Sequence, residues 1–254
     1  MTLEERVDDV SEIVTEKPRV SRPRVMDEVT EAIASDIFSG RYKPGHSLPT
    51  ENELCTAHGV SRTVIREALK VLAAKGLILT RPRIGSVVCE EDNWNIIDAQ
   101  VLAWHASNAL GEKLFDAILE ARRAIEPLVA EIAASRATMR EIADLEAACD
   151  GMANAGEDIV VFSRHDIAFH QTLYAASHNP VFRQIGGMID AALTATLRAT
   201  AVISVDHRTN AVVVHRELLE ALRMRNQPAA REAANRILDL AAHDLEIAKK
   251  NADS

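Results

Sequence analysis

Residues 24–88 read RVMDEVTEAIASDIFSGRYKPGHSLPTENELCTAHGVSRTVIREALKVLAAKGLILTRPRIGSVV, and the spacing of their apolar and turn residues spells a winged helix-turn-helix. Val25, Val29, Ile33 and Ile37 recur every four residues, the stripe of an amphipathic helix, which Gly40 ends. Lys43-Pro44-Gly45 makes a turn. Thr50 and Glu53 have capping-box spacing, so a short second helix covers about 50–57. Gly59 breaks the chain, and the Ser61 hydroxyl is placed to cap a third helix, which carries Val64, Ile65, Ala68, Leu69 and Leu72 and stops at Gly76. Two β-like runs, Leu77–Thr80 and Ser86–Cys89, flank the basic turn Arg81-Pro82-Arg83-Ile84-Gly85.

In such a unit the second helix of the pair enters the major groove and its first residues reach base edges. Here those residues are Ser61, Arg62, Thr63 and Arg66. Arg62 and Arg66 are four apart and share a helix face, and an arginine fork matches the O6 and N7 acceptors of guanine. Arg81 and Arg83 on the wing suit phosphates or the minor groove, and Gly85 allows a close backbone approach. A solvated face is the ordinary reading of two helical arginines; the order of the surrounding elements argues against it.

The flanks differ in character. Residues 1–20 are charged and aperiodic and read as a mobile arm; residues 21–91 form the winged domain, 92–108 a linker with one helix over 93–106, and 109–250 an all-α domain. In that last part the expected helices are 112–136, 138–153, 157–178, 181–203, 207–225 and 227–249, a bundle of six or seven helices in a mainly α chain. Charge is uneven: residues 1–16 carry −5, residues 17–91 carry +3 and residues 92–254 carry −7, within a total of −9. A module that meets an anion is therefore joined to one that does not. Three distant cysteines fit no zinc finger and imply no disulfide framework, and the acidic N-terminus is no signal peptide. A cytoplasmic location without membrane contact is the default expectation.

In the all-α part, Asp166 and His170 are four apart on one helix, a half-site for a divalent metal that His215 on another helix could close. On spacing alone a surface ion pair and a core histidine remain open. Arg122 offers a bidentate clamp for a carboxylate, or an intrahelical salt bridge with Glu126; Arg123 reads as facing solvent or an interface, and Glu126-Pro127 as a local helix irregularity. His165 and His178 read as structural.

The pattern G-x-x-x-P-G-x-x-L-P, E-x-E-L, V-S-R-T-x-x-R-E-A-L and L-x-x-x-G-L-I over residues 33–88 resembles the DNA-binding domain of GntR-type regulators. One departure is Asn52, where many members carry an arginine that contacts DNA. "ARRAIEP" at 121–127, "HDIAFHQTLYAASHNP" at 165–180 and "VHRELLEALRMRNQPAA" at 214–230 resemble the FCD effector domain of the FadR-like branch. The resemblance implies a divalent metal, zinc by donor type, on Asp166, His170 and His215, with Arg122 for an effector carboxylate. It also implies a third histidine 22 residues after His215, where this chain has Ile237; His243 is nearly two turns further on and cannot substitute. The linker stretch DNWNIIDAQVLAW resembles that of galactonate-operon repressors, which implies a sugar-acid effector, with Thr194, Thr196 and Arg198 on a pocket helix. The expectation is a homodimeric, ligand-responsive repressor on double-stranded operator DNA. Its rivals are a metal sensor, with the ion as signal, and a metal-dependent enzyme, which lacks an evident general base.

Overall fold

The computed structural model describes residues 22–81, 84–96, 98–106, 111–187 and 205–252. In the N-terminal part, α1 (Arg22–Phe38), α2 (Glu51–His58) and α3 (Arg62–Ala74) precede a hairpin of β1 (Ile78–Arg81) and β2 (Gly85–Val88). The strands pair antiparallel in the register Ile78↔Val88 to Arg81↔Gly85, and Ser47 adds one bridge to Val87.

Local chemistry explains most of these boundaries. The Thr50 hydroxyl accepts from Glu53 N–H while Thr50 N–H donates to the Glu53 carboxylate at 2.7 Å, so α2 begins with a complete capping box. Gly59 ends α2 in the left-handed region at φ 66°, which a side chain would strain. Ile65, Ala68, Leu69 and Leu72 form the buried stripe of α3 and pack with Ile33, Ile37 and Phe38 of α1 and with Leu54 of α2. One expectation fails here: Ser61 has extended N-cap backbone geometry, but its hydroxyl makes no capping bond. The hydroxyl is left for another partner.

The expected single linker helix over 93–106 is also incorrect. A 3-10 turn at Glu91–Asn93 leads to extended backbone at Trp94, and α4 runs only from Ala99 to Ala106. The restart has a physical cause at Asp98, whose Oδ1 accepts from the N–H of Gln100 at 3.0 Å and of Val101 at 3.2 Å. The same oxygen takes the Lys75 ammonium at 2.7 Å. Trp94 turns inward, with its ring 5.1 Å from Phe38 edge to face and its indole N–H donating to Cys89 O. Gly76 is required beside it, because its φ is 75° and a Cβ would lie 2.2 Å from Asn93 O. Val101 and Trp104 complete the core, so α4 belongs to the winged unit rather than bridging freely away from it.

The other described elements are helices: α5 (Gly111–Arg136), α6 (Met139–Ala153), α7 (Ile159–Ala176), helical residues 180–187 (α8), α9 (Val205–Arg223) and α10 (Gln227–Ala252). α10 packs against α5 and α9, and α6 against α7 and α9. Small residues permit this: Ala130, Ala133 and Ala134 of α5 and Ala230, Ala233 and Ala234 of α10 are buried in one core with Leu145, Phe169, Leu173, Leu218 and Leu222. α5 runs on through Pro127, which has no N–H to give to the helix ladder. His178 is structural, as expected, with Nε2 3.0 Å from the Glu141 carboxylate that caps α6. Among the described residues no helix is long and apolar enough to cross a membrane.

Burial pushes the Asp98 carboxyl up, but the hydrogen bonds from Lys75 and Val101 and the Lys75 charge outweigh it and hold the group below its ordinary value. Its stabilising contribution is present above the unfolded value, near 4, and is lost as pH falls through the folded one. Asp98→Ala is expected to cost about 1–2 kcal/mol and to reduce the dependence of stability on pH below about 4. Urea unfolding followed by tryptophan fluorescence reads this directly, because both tryptophans of the chain, Trp94 and Trp104, lie in this core and Lys75 Nζ stands 5.7 Å from the Trp104 ring. An unchanged unfolding midpoint would remove Asp98 from this role.

Candidate functional site

Two regions concentrate polar side chains. On the winged unit, Ser61, Arg62 and Thr63 stand exposed at the start of α3. Arg66, one turn on, is exposed but paired, with Nε donating to Glu51 Oε2 of α2 at 2.9 Å. A groove of about 350 Å³ runs between α3 and the wing, lined by Thr50, Arg66, Lys70, Thr80 and Ser86 among others. Asn52 is exposed on α2, and Arg81 is exposed at the end of β1 opposite Gly85. Gly85 has φ 92° with open space around its Cα, so its need for glycine is conformational rather than steric. Arg83 lies outside the described residues. Lys70 escaped the sequence reading, although its place one turn after Arg66 puts it on the same face.

The second region lies inside the bundle. Asp166 and His170 of α7 and His215 of α9 are each less than a tenth exposed, and one ligand atom from each lies within 4.8 Å of the others. The surface ion pair that spacing leaves open for Asp166 and His170 does not form, because both side chains point into the core. His215 Nδ1 is 2.7 Å from Ala211 O, and a carbonyl only accepts, so Nδ1 carries the hydrogen. In the neutral ring Nε2 is then a bare lone pair, and it sits 3.3 Å from Asp166 Oδ1 without hydrogen-bond geometry. Two facing acceptors repel unless a cation, a proton or a metal ion, lies between them. The donor set of one carboxylate and two imidazoles fits a divalent ion such as zinc.

Glu126 is the residue that sequence reasoning missed as part of this cluster. It is buried, with Oε2 3.6 Å from His170 Nδ1, which has no hydrogen-bond partner. Arg122 grips the same carboxylate with Nε at 2.6 Å and Nη2 at 3.3 Å. The expected clamp for a ligand is therefore already engaged within α5, the salt bridge that the sequence left open. Arg123, one residue on, is exposed and pairs with Asp239 of α10. Burial raises the Glu126 carboxyl and the Asp166 carboxyl, yet both are held below their ordinary values, Glu126 chiefly by Arg122 and Asp166 chiefly by His215, when a proton lies between Nε2 and the carboxylate, and by His170. Burial pushes the His170 imidazole down, which favours its neutral, ligating form. Ile237 is buried in the apolar core and supplies no further donor. Thr194, Thr196 and Arg198 lie outside the described residues.

Residues 26–88 match the family of bacterial regulatory proteins of the gntR type, and residues 117–240 match the FCD domain. The chain is 33% identical over 208 residues to the galactonate operon transcriptional repressor of Escherichia coli strain K12, covering 82% of this chain and 91% of that protein. The chain belongs to the GntR family. It is also 32% identical over 233 residues to the HTH-type transcriptional regulator Mce2R of Mycobacterium tuberculosis, covering 89% of this chain and 93% of the other. Among solved structures, Lar, which controls expression of the Listeria monocytogenes agr system, aligns with a TM-score of 0.64 at 18% identity over 91% of this chain and 99% of its own, a likeness of fold. As a GntR regulator the chain joins a winged domain for operator DNA to an FCD domain for an effector ligand, and its relatives are transcription regulators rather than enzymes.

Removing one partner of a buried ion pair leaves an uncompensated charge, whereas replacing both does not. Glu126→Leu is expected to cost about 3–5 kcal/mol, and Arg122→Met/Glu126→Leu together less than either single change. Denaturant unfolding of the three variants checks this; additive losses would mean that the pair is not coupled.

Proposed function

We propose that the chain is a dimeric repressor of an operon for sugar-acid breakdown, released from its operator when an aldonate binds in the bundle beside a divalent ion. The observation that carries this reading is the lone pair of His215 Nε2 turned on the Asp166 carboxylate inside a buried three-donor cluster. Asp166, His170 and His215 are the proposed ligands, with zinc the ion best suited to them. When bound, such an ion supplies a positive charge with open coordination positions for a ligand carboxylate.

Charge balance selects the effector. With neutral imidazoles, Asp166, Glu126 and Arg122 sum to −1; a divalent ion turns this to +1, and one carboxylate brings it to zero. A monoanionic acid thus suits the loaded cluster, and an anion is repelled by the empty one. Arg122 shares its guanidinium between Glu126 and that carboxylate in this reading. Identity of 33% with a galactonate operon repressor supports a hydroxylated acid as the ligand.

On the DNA side, Ser61, Arg62 and Thr63 are the proposed base-reading group, with Arg66 steadied by Glu51. Asn52, Lys70, Arg81, Arg83 and Gly85 are the proposed flanking contacts. At only +3 over residues 17–91 the module has weak nonspecific attraction for DNA, so two copies on a near-palindromic site supply affinity. Release requires the acid to prefer the DNA-incompetent arrangement.

Calorimetric titration of zinc-loaded protein with D-galactonate, and with D-galactose as the neutral control, tests this. The acid is expected to bind and the sugar not, with at least a tenfold loss of affinity in His215→Ala and after chelation. A second reading, with the ion itself as signal, draws on the same buried cluster. No galactonate binding to loaded protein, with chelation alone releasing DNA, would replace the acid by the ion.

A further inference from the structure

One cavity in the bundle is separate from the donor cluster. It holds about 280 Å³ where the end of α6 and the start of α7 meet the first turns of α9. Met152, Phe162, Val212 and Val213 give it apolar walls, Arg208 and Arg216 give it positive charge, and no carboxylate is among its described lining residues. None of Asp166, His170, His215, Arg122 and Glu126 lines it among the described residues. Arg208 stands seven residues before His215, about 10 Å along the helix axis.

The two arginines are in different states. Arg216 is exposed and donates to Asp150 Oδ1 at 3.0 Å. Arg208 is only partly exposed, and its Nε and Nη1 are enclosed with no hydrogen-bond partner among the described residues. A charged group so enclosed has lost part of its hydration without gaining a counter-ion among the described residues, a costly state that an anion in the adjoining cavity offsets through its charge. The walls then choose which anion. A polyhydroxylated acid would turn its hydroxyls against Phe162 and Val212 unbonded, and inorganic phosphate would leave those walls uncovered. A small carboxylate with a hydrocarbon body meets both demands, and the volume lies at the small end of ligand pockets.

We infer that this cavity binds a small organic carboxylate with an apolar body through Arg208, at a site separate from the buried donor cluster. The regulator therefore reads a second acid of a different chemical class from the one proposed for the cluster, and this inference does not rest on that proposal.

Thermal unfolding of the full-length protein with benzoate or hexanoate as probe, and inorganic phosphate as control, tests it. At least one carboxylate is expected to raise the midpoint, and phosphate is not. Arg208→Met is expected to raise the midpoint of the ligand-free protein, since it removes an unpaired enclosed cation, and to weaken carboxylate binding at least tenfold. Val213→Trp, which fills the cavity and keeps the charge, is expected to weaken binding equally. Asp166→Asn and chelation are expected to leave it unchanged, which separates this site from the cluster. The inference is overturned if neither carboxylate binds or if phosphate protects equally. It is also overturned if Arg208→Met lowers the ligand-free midpoint and leaves binding intact, or if binding follows Asp166 instead.

Discussion

The bundle is organised around buried charge. Asp166, Glu126 and Arg122 are all enclosed with two imidazoles, and none of them is stable there alone. Arg122 neutralises Glu126 within α5, His170 of α7 stands against the same carboxylate, and His215 of α9 faces Asp166. Three helices must therefore converge at one point. The surrounding interior is made of alanine, leucine and phenylalanine, which contribute packing but cannot specify this register. The buried ionic group costs free energy that apolar residues would not, and it brings Asp166, His170 and His215 together as the proposed ion site.

That centre has to be connected to DNA. α4 is fixed on the winged unit by Trp94, Val101 and Trp104, with Asp98 bonded to Lys75. Because α4 moves with the recognition helix, a shift of the bundle relative to α4 is felt by the whole winged unit rather than absorbed along an independent helix. α4 also touches α5, the helix that carries Arg122 and Glu126. α4 thus links by direct packing the helix that carries Arg122 and Glu126 to the winged unit.

Much of this was legible in the sequence, and the reason is locality. The capping box at Thr50 and Glu53, the glycine at 59 and the apolar stripe of α3 are decided by neighbours within four residues, so the winged unit could be read from spacing. The bundle helices that fall on described residues were legible for the same reason, whereas most of the expected helix 181–203 lies outside them. What escaped depends on contacts across the chain. The linker helix is broken because Asp98 finds Lys75, 23 residues away, and because Gly76 makes room for Asn93. Arg66 is held by Glu51 on another helix. Asp166, His170 and His215 were visible as residue types at a telling spacing, but Glu126 was read only as the salt-bridge partner of Arg122. Its second role needs α7 to pack against α5, which no periodicity shows.

Metal analysis of the purified full-length protein after exhaustive dialysis reads whether the buried cluster holds the proposed divalent ion. One equivalent of zinc or a similar ion per chain is expected in the wild type, and a substoichiometric amount in Asp166→Ala. Metal-free wild-type protein that takes up no ion when it is supplied would contradict the proposal.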